Sequence, residues 1–179
     1  MFLVFCGLMT MSISVGNAPD KYSSFWLSVI RIMMGAVWLH AGYEKVKSPD
    51  FVNGIEQTLN KMLSGDVPVW FSSLFHNYIL PNAHTAGTLL QWAEVTIGVL
   101  LILGFLVNIA AIGSIKLNAM FFILSGWMSA AGWTLNLLMI VIGVVLLFAS
   151  GSKAVSCDKY FFRRHKFFRV IFLNKKTLY

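Results

Sequence analysis

Four apolar stretches, each close to the length of a bilayer crossing, follow one another along the chain: Phe25 to Val46, Thr85 to Val107, Ile109 to Ala131 and Gly132 to Ser150. Crossing the hydrocarbon core takes about 20 residues at a rise of about 1.5 Å each, so each stretch is predicted as a transmembrane helix. The predicted fold class is an all-α membrane protein, a four-transmembrane-helix bundle. The breaks at Gly104 to Asn108 and Ala131 to Trp133 are short, which predicts antiparallel hairpins for the last three spans. Between the first two spans lies a long outer loop, Lys47 to His84, punctuated by Pro49, Pro68 and Pro81. Within it Phe51, Ile55, Leu59 and Met62 recur at helical spacing, predicting a short helix lying across the bundle mouth. Long loops in small proteins are commonly functional.

Composition agrees with this class: 58% of the 179 residues are hydrophobic and only 12% charged. Soluble domains carry roughly 25% charged residues. A net charge of +7 is compatible with nucleic-acid binding, but its placement argues against that partner. Eight of the fourteen Lys and Arg follow Ser150, a juxtamembrane basic tail that the positive-inside rule places in the cytoplasm of a multi-pass cell (plasma) membrane protein, near anionic lipid heads. The chain is thus divided into an N-terminal apolar segment (1–24), a transmembrane domain (25–152) and the tail (153–179). Met1 to Gly16 is short for a span and lacks a basic flank, so a packed or interfacial helix is expected there, with a fifth crossing that would put Met1 outside as the alternative.

Three ionisable side chains fall inside the apolar stretches: Arg31, Glu94 and Lys116. A charge at bilayer depth costs roughly 2.5 to 3.5 kcal/mol on insertion scales, so such residues commonly face a bundle interior and mark a site. Counted from the cytoplasmic edge, Arg31 and Lys116 lie about 9 and 10 Å deep, whereas His40 and Glu94 lie about 22 and 20 Å deep. The expected levels are therefore Arg31 with Lys116, and His40 with Glu94. On the first span Arg31, Gly35, Trp38, Gly42 and Lys45 share one helical face, and His40 and Glu44 share the opposite one. Ser114, Asn118 and Ser125 form a polar stripe on the third span. Arg31 and Lys116 are also compatible with snorkelling to the membrane surface, and Lys45 with interfacial anchoring. Glu94 is too short to snorkel from mid-span.

No His/Cys/Asp/Glu spacing fits a metal site, and no C-x-x-C, G-x-G-x-x-G or P-loop occurs, so no metal, haem or flavin is expected. Cys6 and Cys157 both fall near the cytoplasmic side, where thiols stay reduced. Cys157 is a redox candidate through exchange chemistry, opposed by the adjacent Asp158. Trp92, Trp127 and Trp133 gather at the outer ends of their spans, as belt residues or as a stacking surface for a ring.

The segment IRIMMGAVWLHAGYEKVKSPDF resembles the opening of the DoxX/DoxD membrane protein family, whose first span carries R-x-x-x-G, G-x-x-K and a P-x-F exit. Here these are Arg31 with Gly35, Gly42 with Lys45, and Pro49 to Phe51. The E-x-x-x-G of the second span is Glu94 with Gly98, the small-residue start of the third is NIAAIGSI, and Cys157–Asp158 occupies the family's position after the fourth. Lys116 and Cys157 match no family motif. The resemblance covers about residues 20 to 160 and is closest to the DoxD branch. It implies a membrane subunit of thiosulfate:quinone oxidoreductase, which joins two thiosulfates into tetrathionate and passes two electrons to a membrane quinone of the caldariella quinone type. It also implies a small DoxA-type partner subunit, with which the chain would form a heterodimer able to assemble into a homo-oligomer of heterodimers.

On that reading Lys45, Arg31 and Lys116 are candidate thiosulfate-binding cations, since a dianion needs fixed positive charge. Glu94, His40 and Arg31 are candidate catalytic residues, the first two relaying protons to quinone. Trp92, Trp127 and Trp133 are the candidate quinone-binding residues. A non-catalytic anchor or assembly subunit of a redox complex, and a small transporter, stay open as alternatives at this point.

Overall fold

The structure is a computed structural model that describes residues 20–148, with side chains from Phe25 onward. The N-terminal apolar segment with Cys6 and the basic tail with Cys157 lie outside the described residues. The described part is helical: α1 (Asp20–Lys47), α2 (Pro49–Asn53), α3 (Ile55–Leu63), α4 (Val69–Leu74), α5 (Ala83–Leu103), α6 (Val107–Ser125) and α7 (Ala130–Phe148). Among these residues four helical stretches are long and apolar enough to cross a membrane: Phe25–Lys47, Val69–Leu103, Val107–Met128 and Ala130–Phe148. The chain is a four-helix transmembrane bundle.

The expected loop turns out to be largely helical. Its second half, α4, runs through a π turn at Phe75–Ile79 and a 3-10 turn at Leu80–Asn82 directly into α5. Pro81 sits within the first two positions of the 3-10 turn, where a missing N–H is tolerated, so it re-aims the rod without ending it. In the first half, Gly54 divides the helix expected over Phe51 to Leu63 into α2 and α3, its N–H capping α2 on the Asp50 carbonyl at 2.8 Å. The buried face of α3 is Ile55, Leu59 and Leu63; Met62, expected on that face, is only half-buried.

The hairpin turn between the last two spans also differs from the expected Ala131 to Trp133. Helix α6 ends at Ser125, a 3-10 turn covers Gly126–Met128, and extended Ser129 begins α7. The Ser129 hydroxyl accepts the Gly132 N–H at 3.0 Å and so caps the new helix. The turn between α5 and α6 is tighter than expected. Gly104 at φ 65° and Leu106 at φ 51° are both left-handed, reversing the chain within three residues.

Lipid is as apolar as a leucine side chain, so helices in a bilayer are held by close packing and polar contacts instead of hydrophobic drive. Helices α1 and α5 achieve this through glycine. A β-carbon on Gly98 would fall 2.5 Å from the Leu39 nitrogen, and one on Gly42 would fall 2.7 Å from the Val95 nitrogen, so the two backbones touch. Helices α6 and α7 make a second pair, with Gly143 against Ile115. Met34, Trp38, Ile97, Leu101, Val107, Ala110, Ala111, Met139 and Leu146 fill the space between the pairs. A separate small core of Ile55, Leu59, Leu63, Phe75, Ala83 and Leu124 roofs the bundle at the end where α1 stops. This end is called the capped end below.

Gly98→Leu is expected to part α1 from α5, lowering membrane abundance and costing at least about 1–3 kcal/mol as overpacking does. Gly113→Ala meets only the flexible end of Ile97 at 3.2 Å and is expected to be near neutral. Denaturation midpoints of the two variants in detergent check this.

Candidate functional site

The predicted face of α1 is the one that packs inward. Arg31 is 1% exposed and Trp38 4%, Gly35 and Gly42 are buried, and His40 and Glu44 on the other side are exposed. Facing it on α5, Glu94 is also 1% exposed. Its carboxylate pairs with Lys45 instead of the level-matched His40, Lys45 Nζ donating to Oε2 at 2.5 Å. Two local features explain the choice. Side chains on a helix lean toward its N-terminus, so Lys45 at the end of α1 reaches back down the bundle. One turn below it Gly42 has no side chain, and the Glu94 β-carbon occupies that gap, 3.1 Å from where a β-carbon on Gly42 would stand.

Lys45 is 24% exposed by its side chain, so the pair is dry on the Glu94 side and partly open on the Lys45 side. The Phe51 ring of α2 lies 5.8 Å from the ammonium, a cation–π contact that places the cap directly over the pair. Deeper in the bundle Trp38 donates its indole N–H to Ser114 Oγ at 2.8 Å, and Asn118 Nδ2 donates to the Ser114 carbonyl at 3.0 Å and its hydroxyl at 3.3 Å. The predicted polar stripe on α6 is therefore a buried network that joins the two helix pairs. Ser125 ends the stripe by returning its hydroxyl to the Phe121 carbonyl at 2.8 Å.

The contacts of α1 with α5 run antiparallel, Gly42 opposite Val95, Leu39 opposite Gly98 and Gly35 opposite Ile102. Continued by one turn, that register sets buried Arg31 level with the α5–α6 turn, together with buried Ser28 on its own helix. Arg31 and Lys45 are about 21 Å apart along α1, so no small anion spans both. Lys116, expected beside Arg31, is exposed on the outer surface of α6. The structure thus brings Lys45 and Glu94 together, keeps Arg31 at the opposite end, and leaves His40 and Lys116 on the periphery.

Trp127 and Trp133 meet at the capped end. With Asp66, Pro68, Phe122, Ile123 and Gly126 they line an open groove of about 360 Å³, within the range of small-ligand sites. Trp133 packs 5.5 Å from Phe122, centroid to centroid. Trp127 donates its N–H to the Leu124 and Met62 carbonyls at 2.9 and 3.1 Å, and Gly65 lies flat against its ring with no space for a side chain. Trp92 is exposed and lies outside this groove. Sequence reading missed Phe51 as a roof over Lys45, although its helical spacing was visible. It also missed Asp66 and Phe122 in the groove, which no periodicity marks. Among the described residues no group of three His, Cys, Asp or Glu side chains is placed to hold a metal.

Fold and site define a multi-pass helical membrane protein with an ion pair at one end of its bundle. A family profile described as "TQO small subunit DoxD" matches residues 26–178, and the chain belongs to the DoxD family. The family's name points to an oxidoreductase subunit. Searches of curated proteins and of solved structures returned no match.

Breaking a buried pair from one side leaves an unpaired buried group at a cost of about 3–5 kcal/mol, whereas removing both partners is often neutral. Lys45→Met is therefore expected to lower the denaturation midpoint clearly, and Lys45→Met combined with Glu94→Leu to restore most of the loss. A double-mutant cycle in detergent measures this coupling.

Proposed function

We propose that this chain is the membrane subunit of a thiosulfate:quinone oxidoreductase and that its capped end is where thiosulfate is handled. The carrying observation is the Lys45–Glu94 pair, an ionised couple retained where burial is costly and open to solvent only on its cationic side. Thiosulfate is a dianion that does not cross lipid, so its site belongs at an aqueous mouth with a fixed cation, and Lys45 under Phe51 provides that position. Two thiosulfates each give up one electron and join through their terminal sulfurs as tetrathionate. Quinone takes both electrons and two protons. The Trp127/Trp133/Phe122 groove offers flat apolar walls on which a quinone ring stacks, with the Asp66 carboxylate at its rim. Arg31, remote from both, acts on turnover or on assembly with a partner subunit, and Lys116 faces lipid or that partner.

Reconstituted complex given thiosulfate and a soluble quinone is expected to form quinol and tetrathionate. Lys45→Met should raise the apparent KM for thiosulfate and flatten its salt dependence. Glu94→Gln should cut turnover by at least about tenfold, the low side of acid–base contributions of 10²–10⁴. Trp127→Ala should raise the KM for quinone. Unchanged thiosulfate kinetics in active Lys45→Met complex would move the anion site off this chain.

The proposed orientation is supported by the basic tail: by the positive-inside rule residues 153–179 lie in the cytoplasm and the cap outside the cell membrane. Single cysteines at positions 61 and 175 should label from the outside only and from the inside only, respectively. Reversed labelling would remove the cap as the substrate's approach.

A further inference from the structure

Lys45 holds Glu94 with one of its three N–H donors, and its side chain keeps 24% of its surface exposed at the capped end of the bundle. A small dianion arriving there meets a cation that is already neutralised. Sharing the ammonium would put two like-charged groups side by side on one positive charge. Glu94 has no route of retreat: it is 1% exposed, mid-helix, and packed by its β-carbon against the α1 backbone at Gly42. A buried carboxylate stripped of its cation becomes neutral instead of remaining charged.

We propose that the Lys45–Glu94 pair is a proton-coupled anion site, in which a dianion displaces the Glu94 carboxylate from Lys45 and one proton is taken up by Glu94 for each dianion bound. The exchange balances. The pair begins neutral, gains two negative charges and one proton, and ends as an ammonium–dianion couple beside a neutral carboxylic acid. When the anion leaves, the carboxylate returns to Lys45 and the proton is released. This rests on the assignment of the anion site to Lys45 made above and adds that binding and protonation are one event.

The other charged groups packed around α5 do not compete for this role. On α1, His40, Glu44 and Lys47 are exposed and Arg31 lies at the far end of the bundle. Asp50 on α2, Glu56 and Lys61 on α3, and Lys116 on α6 are exposed, and α7 carries no charged residue. Among the described residues, Lys45 is the one that forms a salt bridge with Glu94. Because the coupled species is the doubly charged anion, singly charged ions such as chloride would displace the carboxylate less well. The site therefore discriminates by charge as well as by shape.

The test uses the full-length chain in detergent, titrated calorimetrically with thiosulfate and with sulfate as a dianion that undergoes no oxidation. Titrations in two buffers of different ionisation enthalpy count the protons exchanged. The expected result is uptake of one proton per dianion, with affinity falling about tenfold per pH unit over the range where the free pair is ionised. Glu94→Gln should bind the dianion at least as tightly as the unaltered protein, with no proton uptake, and Lys45→Gln should not bind it. Dianion binding with no proton uptake, or weaker binding by Glu94→Gln, overturns the coupling while leaving Lys45 as the anion site. No binding of either dianion to the unaltered protein overturns the anion site itself and the coupling with it.

Discussion

The contact between the backbones of α1 and α5 sets the rest of this molecule. In a bilayer, helices gain little from burying apolar side chains against one another, so the pair depends on dispersion contacts that only small residues permit. Gly42 and Gly98 supply them, in a register that sets Leu39 on Gly98 and Gly42 on Val95. That register decides which polar groups meet. It puts Glu94 into the space left by Gly42 and under Lys45, and it carries Arg31 to the opposite end.

The resulting ion pair is asymmetric, and its chemistry follows from that asymmetry. Glu94 is sealed and Lys45 partly exposed, so solvent reaches the pair from the Lys45 side. The pair is also the point where membrane bundle and cap touch, through the Phe51 ring. The cap has its own core, with Leu124 of α6 built into it, and is latched a second time by the indole of Trp127 on the Met62 carbonyl. Movement of α2 and α3 would therefore be felt both at Lys45 and at the aromatic groove. These two places are the proposed anion and quinone sites.

The Trp38–Ser114–Asn118 network plays a different part. It is buried, satisfied and uncharged, and it joins the α1/α5 pair to the α6/α7 pair near the middle of the bundle. Networks of this kind fix a unique arrangement because every alternative leaves a polar group unpaired in an apolar setting. The glycines set how α1 meets α5, and Trp38 sets how that pair meets the other two helices.

Much of this was legible in the chain. Span length and hydropathy determined the four crossings, and the 3.6-residue period determined that Arg31, Gly35, Trp38, Gly42 and Lys45 share the inward face of α1. The motifs carried by Gly35, Gly42, Lys45, Glu94 and Gly98 pointed to the DoxD family, which the family profile bears out. The partner of Glu94 was not legible. Depth counted along two helices matched it to His40, but depth says nothing of direction around the axis, and Lys45 reaches down to the carboxylate by the length and lean of its side chain. The turn at Gly126 to Ser129 lay hidden inside the stretch read as the third span, because isolated Gly and Ser are common inside membrane helices and a cap needs only one serine hydroxyl. Lys116 carried the same signal of a charge in a span as Arg31, yet one is exposed and the other buried. Sequence periodicity assigns a residue to a face; which faces meet a neighbour depends on how all four helices pack, and only the tertiary structure decided that.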